Sequence, residues 1–151
     1  MVLAAVTMMV AACGDGGSGS AAAGQVAGTV PALAAGTTGT VHEVEMLRTS
    51  NGDYVFRPAE LTVKVGDRVR WVNVSGGPHN VAFYAERIPE GAKAFLNAGM
   101  VNRMGALTGQ LLIQPKAVYE ISFDGAPVGT YHYFCTPHEM LGMKARLTVI
   151  Q

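Results

Sequence analysis

Four side chains that bind soft metals lie in two distant segments of this chain, so the fold must bring those segments together if they form one site. Cys135, His138 and Met143 fall within a single short stretch near the C-terminus. His79 lies far upstream, in the turn Gly-Gly-Pro-His-Asn. One thiolate, two imidazoles and a thioether are the ligands of a mononuclear blue copper site with a weak axial methionine. The spacing therefore predicts a copper centre built by loops from separate parts of the chain.

The sequence from Val41 onward consists of short apolar and β-branched runs separated by Gly, Pro, Asn and Asp. In the two clearest runs, 61–65 and 68–74, charged or polar side chains alternate with apolar ones. Alternation of this kind is typical of strands with one buried face. Six or more such strands with turns between them favour an all-β fold, an antiparallel β-sandwich.

The segment 85–116 does not follow the strand pattern. Within it, residues 88–97 predict a short helix, because Pro89 and Glu90 are suited to a helical first turn. The rest of the segment contains several glycines and has no clear period, so the sequence alone assigns it no shape.

The N-terminus predicts an exported protein. Residues 1–12 are mostly apolar and end in Val-Ala-Ala before Cys13, which indicates a lipoprotein-type signal peptide too short to span a bilayer as a mature helix. Cys13 would then carry a lipid, and an unmodified thiol is the alternative. Residues 13–40 are rich in Gly, Ala and Ser and predict a flexible tether, so the folded domain comprises 41–151. We expect a periplasmic or cell-surface location, in which a lipid on Cys13 anchors the protein to the membrane.

The charge pattern excludes one class of partner. The formal net charge is +0, and beyond residue 40 the chain carries 11 basic against 10 acidic side chains. Nucleic acids require a basic stripe or patch, which this composition lacks. We therefore expect no nucleic acid among its partners. We also expect a monomer.

Alternation along the strand before Cys135 decides which neighbouring side chains can join it. Tyr131, Tyr133 and Cys135 share one face, whereas His132 points to the other. The ladder His132-x-x-Cys135 is therefore not a metal motif, and we expect His132 to be a surface residue. His42 is expected to lie at the surface or at a sheet edge.

Two methionines compete for the axial position. We favour Met143 over Met140, because Gly142 lets the backbone fold close to the site and a strand follows at once. Upstream, Asn80 directly follows His79 and is expected to tie its loop to the Thr136 loop by a hydrogen bond.

Four runs, 56–73, 77–81, 129–138 and 142–143, together resemble plastocyanin and its cupredoxin relatives. The resemblance covers roughly residues 43–150. It implies a Greek-key β-sandwich that binds one copper ion through four ligands, namely His79, Cys135, His138 and Met143. It also implies a one-electron carrier that is not an enzyme.

The resemblance further implies how a partner reaches the site. The ring edge of His138 would meet the surface, where a cytochrome or a membrane oxidoreductase would dock on an apolar patch of four residues, Pro137, Met140, Leu141 and Gly142. The long segment 85–116, and Phe134 in place of an exposed Tyr, depart from plant plastocyanins. These departures favour respiratory or general electron transport by a bacterial lipoprotein.

Two other functions compete with electron transfer. A multicopper oxidase needs further clusters of histidine, and this chain has four histidines in total. A periplasmic copper carrier or chaperone remains the alternative, because Met100, Met104 and Met140 could hold Cu(I). Visible absorption distinguishes the two, since an electron carrier is intensely blue in its oxidised state.

Overall fold

The computed structural model describes residues 39–151, which form strands, one α-helix and one 3₁₀ helix. The predicted signal peptide, Cys13 and most of the predicted tether lie outside these residues. The elements in chain order are β1 (Val41–Arg48), β2 (Tyr54–Arg57), β3 (Glu60–Lys64), β4 (Arg68–Asn73), β5 (Ala82–Phe83), α1 (Ala92–Gly99), β6 (Val118–Ser122), β7 (Gly129–Phe134), the 3₁₀ helix Thr136–Leu141 and β8 (Lys144–Ile150). Neither helix of this described part is long and apolar enough to cross a membrane.

The strands form two four-stranded sheets, with the orders β2-β1-β4-β6 and β3-β8-β7-β5. The predicted all-β fold with a short helix is confirmed, but the sheets are mixed, because β1 pairs with β4 and β3 pairs with β8 in parallel. The path of the chain explains the first parallel pair. A hairpin reverses β1 into β2, the chain passes to the other sheet as β3, and a second turn brings it back as β4. Two reversals restore the direction of β1.

The core lies between the sheets and is rich in aromatic rings. In β4 the residues Val69 and Trp71 are buried while Arg68 and Arg70 face outward, as the alternation predicts. The Trp71 ring meets the Tyr133 ring edge to face, with centroids 5.7 Å apart. Burying a large apolar side chain contributes about 1.5–3 kcal/mol, so this cluster is a main source of stability.

The segment between β5 and β6 packs on the sandwich instead of extending away from it. Its helix begins at Ala92, after Gly91, and therefore lies slightly later than predicted. Ala92 and Leu96 face the core and are fully buried. Further on, the chain runs beside β5 through isolated bridges, which pair His79 with Leu112 and Ala82 with Thr108. The segment that the sequence could not assign is thus a support for the His79 loop.

A carboxylate joins the start of β1 to the turn before β4. Asp67 accepts hydrogen bonds from the backbone N–H groups of Thr40 (2.8 Å) and Lys64 (2.9 Å). His42 Nε2 lies 2.8 Å from Asp67 Oδ2. His42 therefore belongs to this cluster on a central strand, whereas the sequence predicted a surface or edge position. The hydrogen bonds to its carboxylate hold the pKa of Asp67 below its usual range, and the bond from the backbone of Lys64 has the largest effect.

Candidate metal centre

Strand β7 delivers Cys135 to the interior. Tyr131, Tyr133 and Cys135 are buried on one face, while His132 and Phe134 lie half-buried on the other. The predicted division of faces is therefore confirmed, and His132 is separated from the cysteine by the sheet. Burial, together with the nearby Arg87 and Arg146, lowers the pKa of His132.

The chain after Cys135 turns back on itself through the 3₁₀ helix. The backbone N–H of His138 donates to the carbonyl of Cys135 (3.0 Å), and His138 Nδ1 comes to 3.4 Å from Cys135 Sγ. Gly142 ends the helix with φ +86°, a conformation that favours glycine. The imidazole and the thiol are thus placed together by local backbone geometry.

The backbone of Met143 closes this loop. Its N–H donates to the carbonyl of His138 and its carbonyl accepts from the N–H of Cys135, each at 3.1 Å. Met143 is fully buried, whereas the side chain of Met140 is 94% exposed. Of the two methionines weighed for the axial position, Met143 is therefore the one enclosed beside the thiol.

His79 reaches the same point from the other sheet. The chain leaves β4 through Gly76 and Gly77, both with positive φ, and then pairs His79 with Leu112 through two backbone hydrogen bonds of 2.9 and 2.7 Å. The ring is fully buried, and its Nδ1 lies 3.7 Å from Cys135 Sγ. Cys135, His79 and His138 each offer one ligand atom, and these atoms lie within 4.8 Å of one another.

Asn80 ties the two loops of the site together, as predicted. Its Oδ1 accepts from the backbone N–H of Thr136 (2.8 Å), and its Nδ2 donates to the Thr136 hydroxyl (3.2 Å). Burial raises the pKa of the Cys135 thiol, and the nearby backbone N–H groups of Asn80 and His138 partly offset this effect. The two loops around Cys135 are therefore joined to each other through Asn80 and Thr136.

Burial also sets the charge state of the imidazoles. Desolvation, with a smaller effect of His138, lowers the pKa of His79 to about 4. Desolvation lowers the pKa of His138 in the same direction. Both rings are consequently neutral at pH 7, with lone pairs free for a metal, whereas the thiol must lose its proton on metal binding.

Tyr54 covers one face of His138, a contact that no sequence pattern indicated. The two rings stack with centroids 3.8 Å apart and planes inclined by 8°. The Arg48 guanidinium lies 5.6 Å from the centroid of the Tyr54 ring. A ring in strand β2 thus restrains the orientation of an imidazole that is more than eighty residues away in sequence.

We expect Tyr54→Leu to lower the free energy of unfolding of the metal-free protein by about 0.5–1.5 kcal/mol beyond the loss of buried area, because stacked rings contribute that amount. Urea denaturation followed by circular dichroism measures the change. Tyr54→Phe is the matched control and should keep most of the stability. Equal stability of the leucine variant and the wild type would show that the stack contributes nothing.

Next to the site the surface is apolar. Pro137, Met140, Leu141 and Gly142, hereafter the apolar patch, are all exposed. His138 lies among them and is 7% exposed. The four residues of the predicted patch are therefore exposed, and they surround in sequence a buried histidine of the candidate site.

The donor set fits copper. A buried thiol and two buried, neutral imidazoles converge. The residue with the buried thioether, Met143, is hydrogen-bonded through its backbone to Cys135 and His138. Soft sulfur suits Cu(I), whereas imidazole also suits Cu(II). Among the residues that the structure describes, this is the one cluster of His, Cys, Asp and Glu side chains able to hold a metal ion. A β-sandwich with this site at one end defines a cupredoxin.

Comparisons with known proteins agree. A sequence model of a protein family, the copper binding proteins of the plastocyanin/azurin family, matches residues 43–150. The chain belongs to this family. Plastocyanin of Scenedesmus fuscus is 40% identical over 103 residues, which cover 68% of this chain and 94% of that protein. A Synechococcus plastocyanin is 40% identical over 95 residues, which cover 63% of this chain and 63% of that protein.

A solved structure shares the fold. The oxidised form of plastocyanin from Dryopteris crassirhizoma superposes with a TM-score of 0.54 at 28% identity, covering 72% of this chain and all of that one. Cupredoxins of the plastocyanin type carry electrons and are not enzymes. The chain is accordingly a copper-binding electron carrier, as its sequence predicted.

Proposed function

We propose that this protein passes single electrons between redox proteins, with copper held by His79, Cys135, His138 and Met143. The observation that carries the proposal is the convergence of Cys135 Sγ with the Nδ1 atoms of His79 and His138, at 3.7 and 3.4 Å. Met143, buried and bonded through its backbone to Cys135 and His138, would be the weak axial ligand. Bound copper supplies a couple between Cu(I) and Cu(II).

The residues around the site would make electron transfer fast, because they restrict the movement of the copper ligands. Asn80 fixes one loop to the other, Pro137 stiffens the turn, and Tyr54 restrains the His138 ring. Because packed side chains hold the ligands, their positions need not change when the charge of the site changes. The closed pocket also excludes water, whose reorientation would slow electron transfer.

The partner would dock on the apolar patch. His138 is the ligand nearest to solvent there, so its ring is the shortest route from the site to another protein. A cytochrome or a membrane oxidoreductase with an apolar surface next to its own redox centre would fit this patch. The buried centre of a protein–protein interface is typically depleted of charged residues, and the apolar patch has that composition.

Location forms the second part of the proposal. The apolar run 1–12 and Cys13 support export and lipid attachment, and 13–40 would tether a monomeric domain at the membrane. A Gly-rich chain of this length spans about 25–30 Å on average. That reach would let the domain meet partners at the outer face of the cytoplasmic membrane. Mass spectrometry of Cys13 in a native expression host tests the attachment directly.

Titration of the purified protein with Cu(II) tests the function. We expect an intense blue absorption that saturates at one copper per chain, disappears on addition of ascorbate and returns on oxidation. The alternative of a copper carrier predicts a colourless protein that binds Cu(I). It relied on Met100, Met104 and Met140, and Met100 is buried in the core.

We expect Met143→Leu to keep the blue colour and to raise the reduction potential. The axial ligand and the polarity around the copper tune its potential, and an apolar side chain in place of the thioether favours the less charged Cu(I) state and keeps water out. Cyclic voltammetry of the copper-loaded protein measures the shift. Met140→Leu is the matched control, because its side chain is exposed. A shift in the Met140 variant alone would reverse the assignment.

A further inference from the structure

Asn73 is a fully buried amide at the end of β4, six residues before His79. Its Nδ2 donates to the carbonyls of Gly77 (2.9 Å) and Leu112 (3.0 Å), and its Oδ1 accepts from the N–H of Gly76 (3.0 Å). Two of these hydrogen bonds connect Asn73 to the loop that carries a predicted ligand, and the third connects it to the segment beside that loop. A buried amide with several partners is costly to remove, because the groups left behind lose their bonds.

The loop that Asn73 holds contains two consecutive glycines, and its other anchor is the hydrogen bond from Gly77 N–H to the carbonyl of Ile113 (3.0 Å). Gly76 and Gly77 have φ angles of 73° and 86°, which glycine adopts but does not prefer over other conformations. A Cβ at Gly77 would meet no atom within 4 Å, whereas one at Gly76 would meet Pro115 at 3.1 Å, so packing confines only one side of this turn. Asn73 bonds to the N–H of one glycine and the carbonyl of the other, and it closes the turn at both points.

The third bond reaches the partner of His79. The carbonyl of Leu112 accepts both from Asn73 Nδ2 (3.0 Å) and from the backbone N–H of His79 (2.9 Å). Asn73 and His79 are thus bonded to one oxygen atom. Asn80 fixes the opposite side of His79 through Thr136, so an amide secures the loop on each side of the ligand.

We propose that Asn73 is a positioning residue, which sets the place of the His79 imidazole relative to Cys135 Sγ without touching the metal. The proposal deepens the proposed function, on which it rests for the identity of the metal. Its structural part, the order of the His79 loop, does not depend on copper. Outer residues that orient a metal ligand typically contribute 10–100-fold to metal affinity.

The test compares Asn73→Ala with Asp67→Asn. Asp67 also bonds three partners, but it precedes β4 whereas Asn73 ends it, so roughly 20 Å separate them along the strand. Both variants should lose stability. Only Asn73→Ala should raise the copper Kd, by about 10–100-fold, and speed amide hydrogen exchange at His79 and Asn80 in the metal-free protein.

Asn73→Ser serves if the alanine variant does not fold, because its hydroxyl can still accept from Gly76 but is too short to reach Leu112. We expect a smaller rise in the copper Kd and faster exchange at His79. Wild-type values of both in either folded variant would overturn the proposal, as would equal effects in Asp67→Asn. If the wild type does not form a blue site, the proposed function fails, and the exchange measurement still decides the role of Asn73.

Discussion

Cys135→Ser is expected to abolish the blue absorption completely while the sandwich still folds. The colour requires a thiolate bound to copper, and a serine hydroxyl at this position neither ionises near pH 7 nor binds copper as a soft donor. Cys135 is buried directly after β7, and a serine side chain has nearly the same shape as the cysteine that it replaces. Visible absorption of the copper-titrated variant measures the loss, and far-UV circular dichroism checks the fold.

Cys13→Ser is the matched control, because it makes the same substitution at the other cysteine of the chain. This variant should keep the full absorption. A Cys135→Ser protein that stays blue would show that Cys135 is not the sulfur ligand. A colourless Cys13→Ser protein would show that the copper site needs Cys13.

Trp71→Ala is expected to lower the free energy of unfolding of the metal-free protein by about 3–5 kcal/mol, the usual cost of emptying a large core site. Trp71 is fully buried and meets the rings of Phe83 and Tyr133 edge to face, with centroids 6.4 and 5.7 Å away. A domain of this size is typically stable by about 5–15 kcal/mol. The variant should therefore be marginally folded at 37 °C.

Guanidinium denaturation monitored by circular dichroism measures this loss, and Trp71→Phe is the matched control. Phenylalanine keeps most of the apolar volume and an aromatic face for Tyr133, so its cost should be well below that of alanine. A loss under about 1 kcal/mol for Trp71→Ala would show that the rings between the sheets are not the main source of stability.

Local patterns predicted the parts of the site that depend on one segment. The period of two along β7 placed Cys135 inside and His132 on the opposite face, and the structure confirms both. Gly142 correctly marked the turn that brings Met143 back to the thiol. These features follow from backbone geometry over a few residues, which the order of residue types records directly.

Contacts between distant segments left no such record. Tyr54 belongs to a short strand whose sequence shows no connection to His138, and the stack exists because β2 begins beside the loop after β7. The parallel pairing of β1 with β4 was missed because alternation reports which face is buried, not which strand lies alongside. Asn73 was overlooked for a related reason, since its partner Leu112 lies in a segment without a period.

A crystal structure of the copper-loaded protein, with anomalous diffraction recorded at the copper edge, tests the central claim most directly. We predict a single copper peak between Cys135 Sγ and the Nδ1 atoms of His79 and His138, with the Met143 sulfur at a longer distance. A copper peak elsewhere, or one at this place without Cys135 among its ligands, would contradict the account.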